Sequence, residues 1–305
     1  MVGELNRLQM VSYAMAFTTL ITPAALALHL DDDDPAYAIV DCRFKLDDVE
    51  WGHREYSAAH IPGAVYADLA HDLSGSKSGT NGRHPLPDPE TLARTFSRLG
   101  MASGVQVVAY DQDNGMFASR LWWLLRWLGH EAAAVLDGGF AKWKAEGRPT
   151  RSGDESRAPR DFTGSPHPGM TVDVNEVARL VATRGASRDV HAGPLLVDAR
   201  APERYRGDIE PLDKIAGHIP GAVNHFFQGN LDAAGTLRSP EDLRKRFKES
   251  IGDIRPEQVV CYCGSGVTAC HNLLALEHAG LTGAKLYAGS WSEWSSDPSR
   301  SVERG

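Results

Sequence analysis

The chain has 305 residues, 42% of them hydrophobic and 24% charged, which is long enough for two globular units with cores of their own. Its formal net charge of -8 leaves no global field to draw nucleic acid or an anionic membrane surface, so an anionic ligand needs a local cationic site. The four cysteines, Cys42, Cys261, Cys263 and Cys270, make no disulfide framework and fit a reducing, cytoplasmic setting.

Residues 1–16 lack the basic-then-apolar order of a secretory signal and read as a disordered leader. The apolar stretch 17–30 is broken by Pro23 and is too short to span a bilayer, so no membrane association is expected. Thr22-Pro23 marks a helix start, with a capping hydroxyl followed by proline at the first helical position. Residues 38–40 and 106–110 read as short buried strands. Residues 121–128, apolar almost all round, form a helix packed on a sheet, with Trp122, Trp123 and Trp127 in the core. Gly129 closes that helix, and 132–136 is the next strand.

Between 148 and 170 the chain is rich in Pro, Gly, Ser, Arg and Asp, a linker composition. The signals then begin again: a helix near 174–181, strands at 195–197 and 258–262, a helix over 267–279 and a strand at 285–287.

The second half repeats the first. Ile39-Val40-Asp41-Cys42-Arg43 returns as Leu196-Val197-Asp198-Ala199-Arg200, and His60-Ile61-Pro62-Gly63 as His218-Ile219-Pro220-Gly221. Val107-Val108-Ala109-Tyr110-Asp111 matches Val259-Val260-Cys261-Tyr262-Cys263, and 136–143 matches 287–294 in character. The chain is therefore a duplicated α/β domain built on a mainly parallel sheet. Its expected parts are a leader at 1–16, a non-catalytic copy at 17–150, a linker at 151–170 and a catalytic copy at 171–305.

Chemistry concentrates where the second copy runs from strand to helix through Cys263-Gly264-Ser265-Gly266-Val267-Thr268. Such a turn aims backbone N–H groups and a helix N-terminus at one point, which favours a thiolate and would stabilise a persulfide. Gly264 and Gly266 let the backbone curl round the sulfur, and Ser265 can hydrogen-bond a substrate or relay a proton. The matching position in the first copy is Asp111, which cannot accept sulfur.

Asp41 and Asp198 read as loop-bonding structural residues, His218 as part of a structural turn, and Cys261 and Cys270 as buried packing. Trp294 reads as packing, while Trp291 either packs or roofs the cleft. A Cys-x-Cys pair without further ligands at metal spacing, His271 being a weak candidate, gives no zinc site. A cysteine-phosphatase loop would need an arginine where Ala269 stands.

The order Asp-x-Arg, His-Ile-Pro-Gly, Cys-Gly-Ser-Gly-Val-Thr-Ala and Gly-Ser-Trp-Ser-Glu-Trp resembles the tandem-domain rhodanese family, which includes thiosulfate and 3-mercaptopyruvate sulfurtransferases. The resemblance runs from about Phe17 to Trp294. It implies a monomer, without metal or organic cofactor, in which Cys263 takes sulfur from a small anionic donor, becomes a persulfide, and passes the sulfur to cyanide, a small thiol or thioredoxin. Gly264 and Ser265 after the cysteine resemble the mercaptopyruvate type. By the same resemblance Arg204 grips the donor, with Lys214 standing in for a second arginine. His60 would be the first-domain histidine that works with Ser265, backed by Asp47, Asp48 or Glu50. The alternatives are a thiosulfate-specific rhodanese and a non-enzymatic sulfur carrier or redox sensor.

Overall fold

Runs such as Tyr37–Asp41 and Gln106–Tyr110 are buried at every position, as strands covered on both faces must be. The computed structural model describes residues 16–30, 36–186 and 193–305; the expected leader lies outside these residues except for Ala16. The first unit contains β1 (Leu20–Ile21), α1 (Pro23–Leu26), β2 (Tyr37–Asp41), α2 (Trp51–Ala58), β3 (Ala64–Tyr66), α3 (Pro89–Arg98), β4 (Gln106–Tyr110), α4 (Ala118–Trp127), β5 (Ala133–Leu136) and α5 (Gly139–Ala145). All pairings are parallel, in the order β1-β5-β4-β2-β3. Thr22 caps α1 as its sequence suggests, its Oγ1 accepting the Ala25 N–H at 3.2 Å.

The second unit contains α6 (Val174–Ala186), β6 (Leu195–Asp198), α7 (Pro202–Arg206), β7 (Val223–Asn224), α8 (Pro240–Ile251), β8 (Val259–Tyr262), α9 (Thr268–His278), β9 (Lys285–Leu286) and α10 (Ser290–Trp294). Its sheet is also parallel, in the order β7-β6-β8-β9.

The repeat extends to individual hydrogen bonds. Arg43 and Arg200 each grip the aspartate two residues earlier, Asp41 and Asp198, with Nη2–Oδ2 at 2.6 Å in both units. The same nitrogen then donates to Ala59 O or Gly217 O, at 2.7 Å in each case. Tyr110 and Tyr262 accept the N–H of Ile61 and Ile219, both at 3.2 Å. The two Asp-x-Arg motifs are thus buried clamps that fix the turn before each His-Ile-Pro-Gly block.

The units share a core in which α4 packs against α9, and Trp122, Trp123 and Trp127 are buried there. Although 151–162 has the composition of a linker, it lies on the first unit. Arg151 pairs with His60 in an antiparallel bridge, Arg157 donates to Gly63 O at 3.1 Å, and Phe162 packs edge-on against Phe96. Polar composition describes its outer face, while a few anchors bind it to the domain.

Candidate active site

Strand β8 ends at Tyr262 and places Cys263 at the mouth of the following turn, with only 2% of the residue exposed. Its Sγ accepts the N–H of Gly266 at 3.1 Å and that of Ser265 at 3.4 Å. Gly266 has φ of 75°, and a methyl group there would stand 2.4 Å from Ala288 O, so the turn requires glycine twice over. Val267 precedes α9 as its N-cap, and Thr268 opens the helix.

The segment after β9 fastens this turn from below. Trp291 and Ser292 donate their backbone N–H groups to Cys263 O and Gly264 O at 2.9 and 3.0 Å. The Cys263 N–H donates to Ser290 Oγ at 3.1 Å, and that hydroxyl donates to Tyr287 O at 2.9 Å. Among the described residues Ser290 is the only non-glycine with positive φ, 56°, and Gly139 with φ of 57° stands at the matching place in the first unit. A strained backbone held in place beside a reactive group is a usual mark of a working site. Trp291 is buried packing, not a roof: its Nε1 donates to Ile215 O, and Arg200 lies over its ring.

Two guanidinium groups lie above Gly264. A methyl group there would stand 2.7 Å from Arg83 Nη2 and 3.4 Å from Arg204 Nη2, so glycine keeps the space beneath both arginines open. Arg204, on α7, donates to Glu210 Oε1 at 2.6 Å and stands 3.6 Å from Asp213. Arg83 comes from the first unit and pairs with Asp213, while its backbone N–H donates to Ser292 Oγ at 3.0 Å. Arg83, rather than Lys214, stands beside Arg204 over Gly264: the Lys214 side chain is exposed to solvent, and the loop carboxylates Glu210 and Asp213 hold the two arginines.

Ser265 Oγ lies 2.9 Å from His84 Nδ1. His84 is buried, and burial first, then the charges of Arg120, Lys77 and Arg83, push it down to about 3. It is therefore a neutral imidazole at physiological pH. The expectation for His60 needs correction. Both of its ring nitrogens are occupied elsewhere, Nδ1 by Tyr56 O at 2.8 Å and Nε2 by Glu155 at 3.0 Å, and its ring stacks on Tyr56. His218 repeats this arrangement with Tyr205 O at 2.8 Å and a stacked Tyr205 ring, so the pair is a duplicated staple at the end of α2 and of α7. None of the three acids proposed to back His60 faces it: Asp48 pairs with Arg54, and Asp47 and Glu50 are exposed.

Arg83 and His84 were missed because they sit in the copy without the loop cysteine, in Gly82-Arg83-His84-Pro85. One signal was available: the stretch between β3 and α3 is longer than its counterpart between β7 and α8. Cys261 and Cys270 are fully buried thiols, and burial pushes Cys270 up to about 12 and Cys261 higher still. Among the described residues no group of three metal-ligating side chains comes together, and no helix is long and apolar enough to cross a membrane.

The chain is similar to known proteins along most of its length. The model of the rhodanese-like domain matches it twice, at residues 22–146 and 180–297. A probable 3-mercaptopyruvate sulfurtransferase of Pseudomonas aeruginosa is 46% identical over 293 residues, covering 95% of this chain and all of that protein. A putative thiosulfate sulfurtransferase of Mycobacterium tuberculosis is 40% identical over 286 residues, covering 94% of this chain and 97% of that protein. Among solved structures, the 3-mercaptopyruvate sulfurtransferase of Escherichia coli superposes with a TM-score of 0.76 at 31% identity, covering 90% of this chain and 99% of that one.

Proposed function

Because the chain belongs to the rhodanese family of sulfurtransferases, we propose that it moves sulfur from 3-mercaptopyruvate, through a persulfide on Cys263, to a thiol acceptor. The observation that carries this choice of donor is the convergence on Gly264 of Arg204 from one unit and Arg83 from the other, with Ser265–His84 beside them. Two guanidinium forks suit a carboxylate with a neighbouring carbonyl.

The step balances as follows. The Cys263 thiolate attacks the donor's thiol sulfur, and the new S–S bond forms as the sulfur–carbon bond breaks. The bonding electrons pass into the carbonyl to give an enolate, and the proton of the donor thiol ends on its carbon, giving pyruvate and the persulfide anion. Ser265, bonded to a neutral His84, is placed to move that proton, while Arg204 and Arg83 stabilise the enolate charge. An acceptor thiolate then attacks the outer sulfur and frees the Cys263 thiolate. Cyanide, small thiols and thioredoxin all have the nucleophilicity this step needs, and a reducing cytoplasm would keep them available.

Thiosulfate is the second reading, because two guanidinium groups also suit a dianion and the Mycobacterium tuberculosis relative carries that name. Sulfite leaves without a proton, so the two donors place different demands on Ser265 and His84. The test is kcat/KM for both donors in the parent and in His84→Gln. The mercaptopyruvate reading expects the parent to prefer mercaptopyruvate, and the substitution to lower that activity by roughly 100-fold while sparing thiosulfate. Equal losses with both donors would remove the proton relay, and a parent preference for thiosulfate would select the second reading.

A further inference from the structure

Each of the two packed helices sends a side chain across the boundary into the other unit's turn. His271, on α9, sets Nε2 3.1 Å from Asn114 O in the turn that holds Asp111. Arg120, on α4, donates Nη1 to Gly266 O at 3.2 Å in the turn that holds Cys263. The two residues occupy matching positions, each the same number of residues before the left-handed glycine that closes its helix, Gly129 with φ of 86° and Gly280 with φ of 76°.

The match ends at charge. Burial pushes His271 down to about 4, so it is neutral. Arg120 is a guanidinium with 0% exposure, and among the described residues no carboxylate pairs with it. Its other N–H groups go to Leu73 O at 3.4 Å, His84 O at 3.2 Å and Pro85 O at 3.3 Å, and to the thiol of Cys270. A buried cation without a counter-ion is costly, and carbonyl dipoles offset only part of that cost.

The groups within electrostatic reach of the guanidinium are the thiols of Cys270 and Cys263. Burial keeps Cys270 protonated, with its Sγ donating to Gly266 O at 3.3 Å. Above the turn, Arg83 and Arg204 are already balanced by Asp213 and Glu210, and His84 is neutral. Negative charge that arises on Cys263 during sulfur transfer is what remains for Arg120 to balance.

We propose that Arg120, from the unit without the cysteine, is a positioning residue for sulfur transfer: the cation that backs Cys263 through the Gly266 carbonyl and ties the sulfur turn to the strap carrying Arg83 and His84. This deepens the reading of Cys263 as the sulfur carrier and rests on it. A guanidinium fixed behind the turn in a dry, low-dielectric setting favours charge on the thiolate and on the persulfide that replaces it.

The test compares Arg120→Gln and Arg120→Lys in the full chain. Iodoacetamide labelling of the Cys263 peptide is followed by mass spectrometry at neutral pH, beside melting curves and mercaptopyruvate kinetics. Arg120→Gln is expected to slow labelling about tenfold and to lower kcat, with KM within about threefold because Arg83 and Arg204 still hold the donor. Arg120→Lys keeps the charge and restores labelling to within about threefold of the parent. Parent-like labelling and turnover in Arg120→Gln would overturn the proposal, as would a well-folded Arg120→Lys no better than Arg120→Gln. Should Arg120→Gln fail to fold, Arg120→Lys decides alone: parent-like labelling supports the proposal and a drop of about tenfold refutes it. A parent whose Cys263 labels in this Arg120-dependent way but accepts sulfur from neither donor would refute the sulfur-carrier reading instead, so the two failures are separable.

Discussion

The turn after β4 and the turn after β8 are the same device with different contents. In the first unit Asp111 fills the cradle with its own carboxylate. Oδ1 accepts from Asp113 and Gly115 at 3.2 and 2.9 Å, and Oδ2 from Phe117 and Ala118 at 2.7 and 3.1 Å. In the second unit Cys263 Sγ takes two N–H groups, and two arginines lie across the open side. A cradle satisfied by an internal anion has nothing left to bind. The first unit therefore holds a carboxylate where the second holds a thiol, yet it sets Arg83, His84 and Arg120 against the second unit's turn.

The comparison breaks most sharply at the sulfur. Cys263→Ser is expected to abolish transfer from either donor while leaving the melting temperature within a few degrees, read by activity and calorimetry side by side. The converse change, Asp111→Cys in that background, should give no mercaptopyruvate turnover, because Arg83 and Arg204 converge on Gly264 of the second cradle; restored turnover would show that the thiol alone suffices.

Next in size are the arginines. Arg83→Ala and Arg204→Ala should each cost about 2 kcal/mol of donor binding, roughly thirtyfold in kcat/KM and carried mainly by KM. An Arg83→Ala enzyme with parent kinetics would return the site to the catalytic unit alone.

Smaller effects sharpen the contrast between Ser290 and Gly139. Ser290→Gly relieves the left-handed backbone but removes the hydroxyl that holds the Cys263 N–H, so kcat should fall by about three- to tenfold with stability changed by less than about 1 kcal/mol. The smallest effects on chemistry belong to the first unit's own anchors. Asp111→Asn and His60→Gln should each lower stability by about 1–3 kcal/mol and leave kcat unchanged, measured by denaturant unfolding and steady-state rates. The pH profile adds one sign. With His84 pushed down to about 3 by burial, the imidazole stays neutral from pH 8 down to about 5, and mercaptopyruvate kcat should show no step from its protonation in that range.

The duplicated fold could be read from the sequence because the repeated blocks are the ones physics constrains most. These are the apolar strands, the Asp-x-Arg clamp and the His-Ile-Pro-Gly turn; Cys263, Gly264, Ser265 and Gly266 could be found as a strand, glycine loop and helix, and Arg204 only through the family resemblance. What could not be read lies where the copies differ. The catalytic role expected of His60 came from the family resemblance alone, whereas the residue staples its unit just as His218 staples the other. His84 and Arg83 sit in a stretch of the first copy that has no matching block, and their partners, Ser265 and Asp213, are far away in sequence. Arg120 lies just before the apolar run 121–128 and drew no reading from the sequence, and only the packing of α4 on α9 gives its charge a destination.

The central claim is that one sulfur atom passes from 3-mercaptopyruvate to Cys263 in a site shared by both units. Its most direct test is a single turnover without acceptor, with intact and peptide masses and released pyruvate measured on the parent and on Cys263→Ser. The account predicts that the parent gains one sulfur atom on the Cys263 peptide for each pyruvate released, and that the variant gains none. Pyruvate release without added sulfur on Cys263, or equal sulfur uptake by Cys263→Ser, would contradict it.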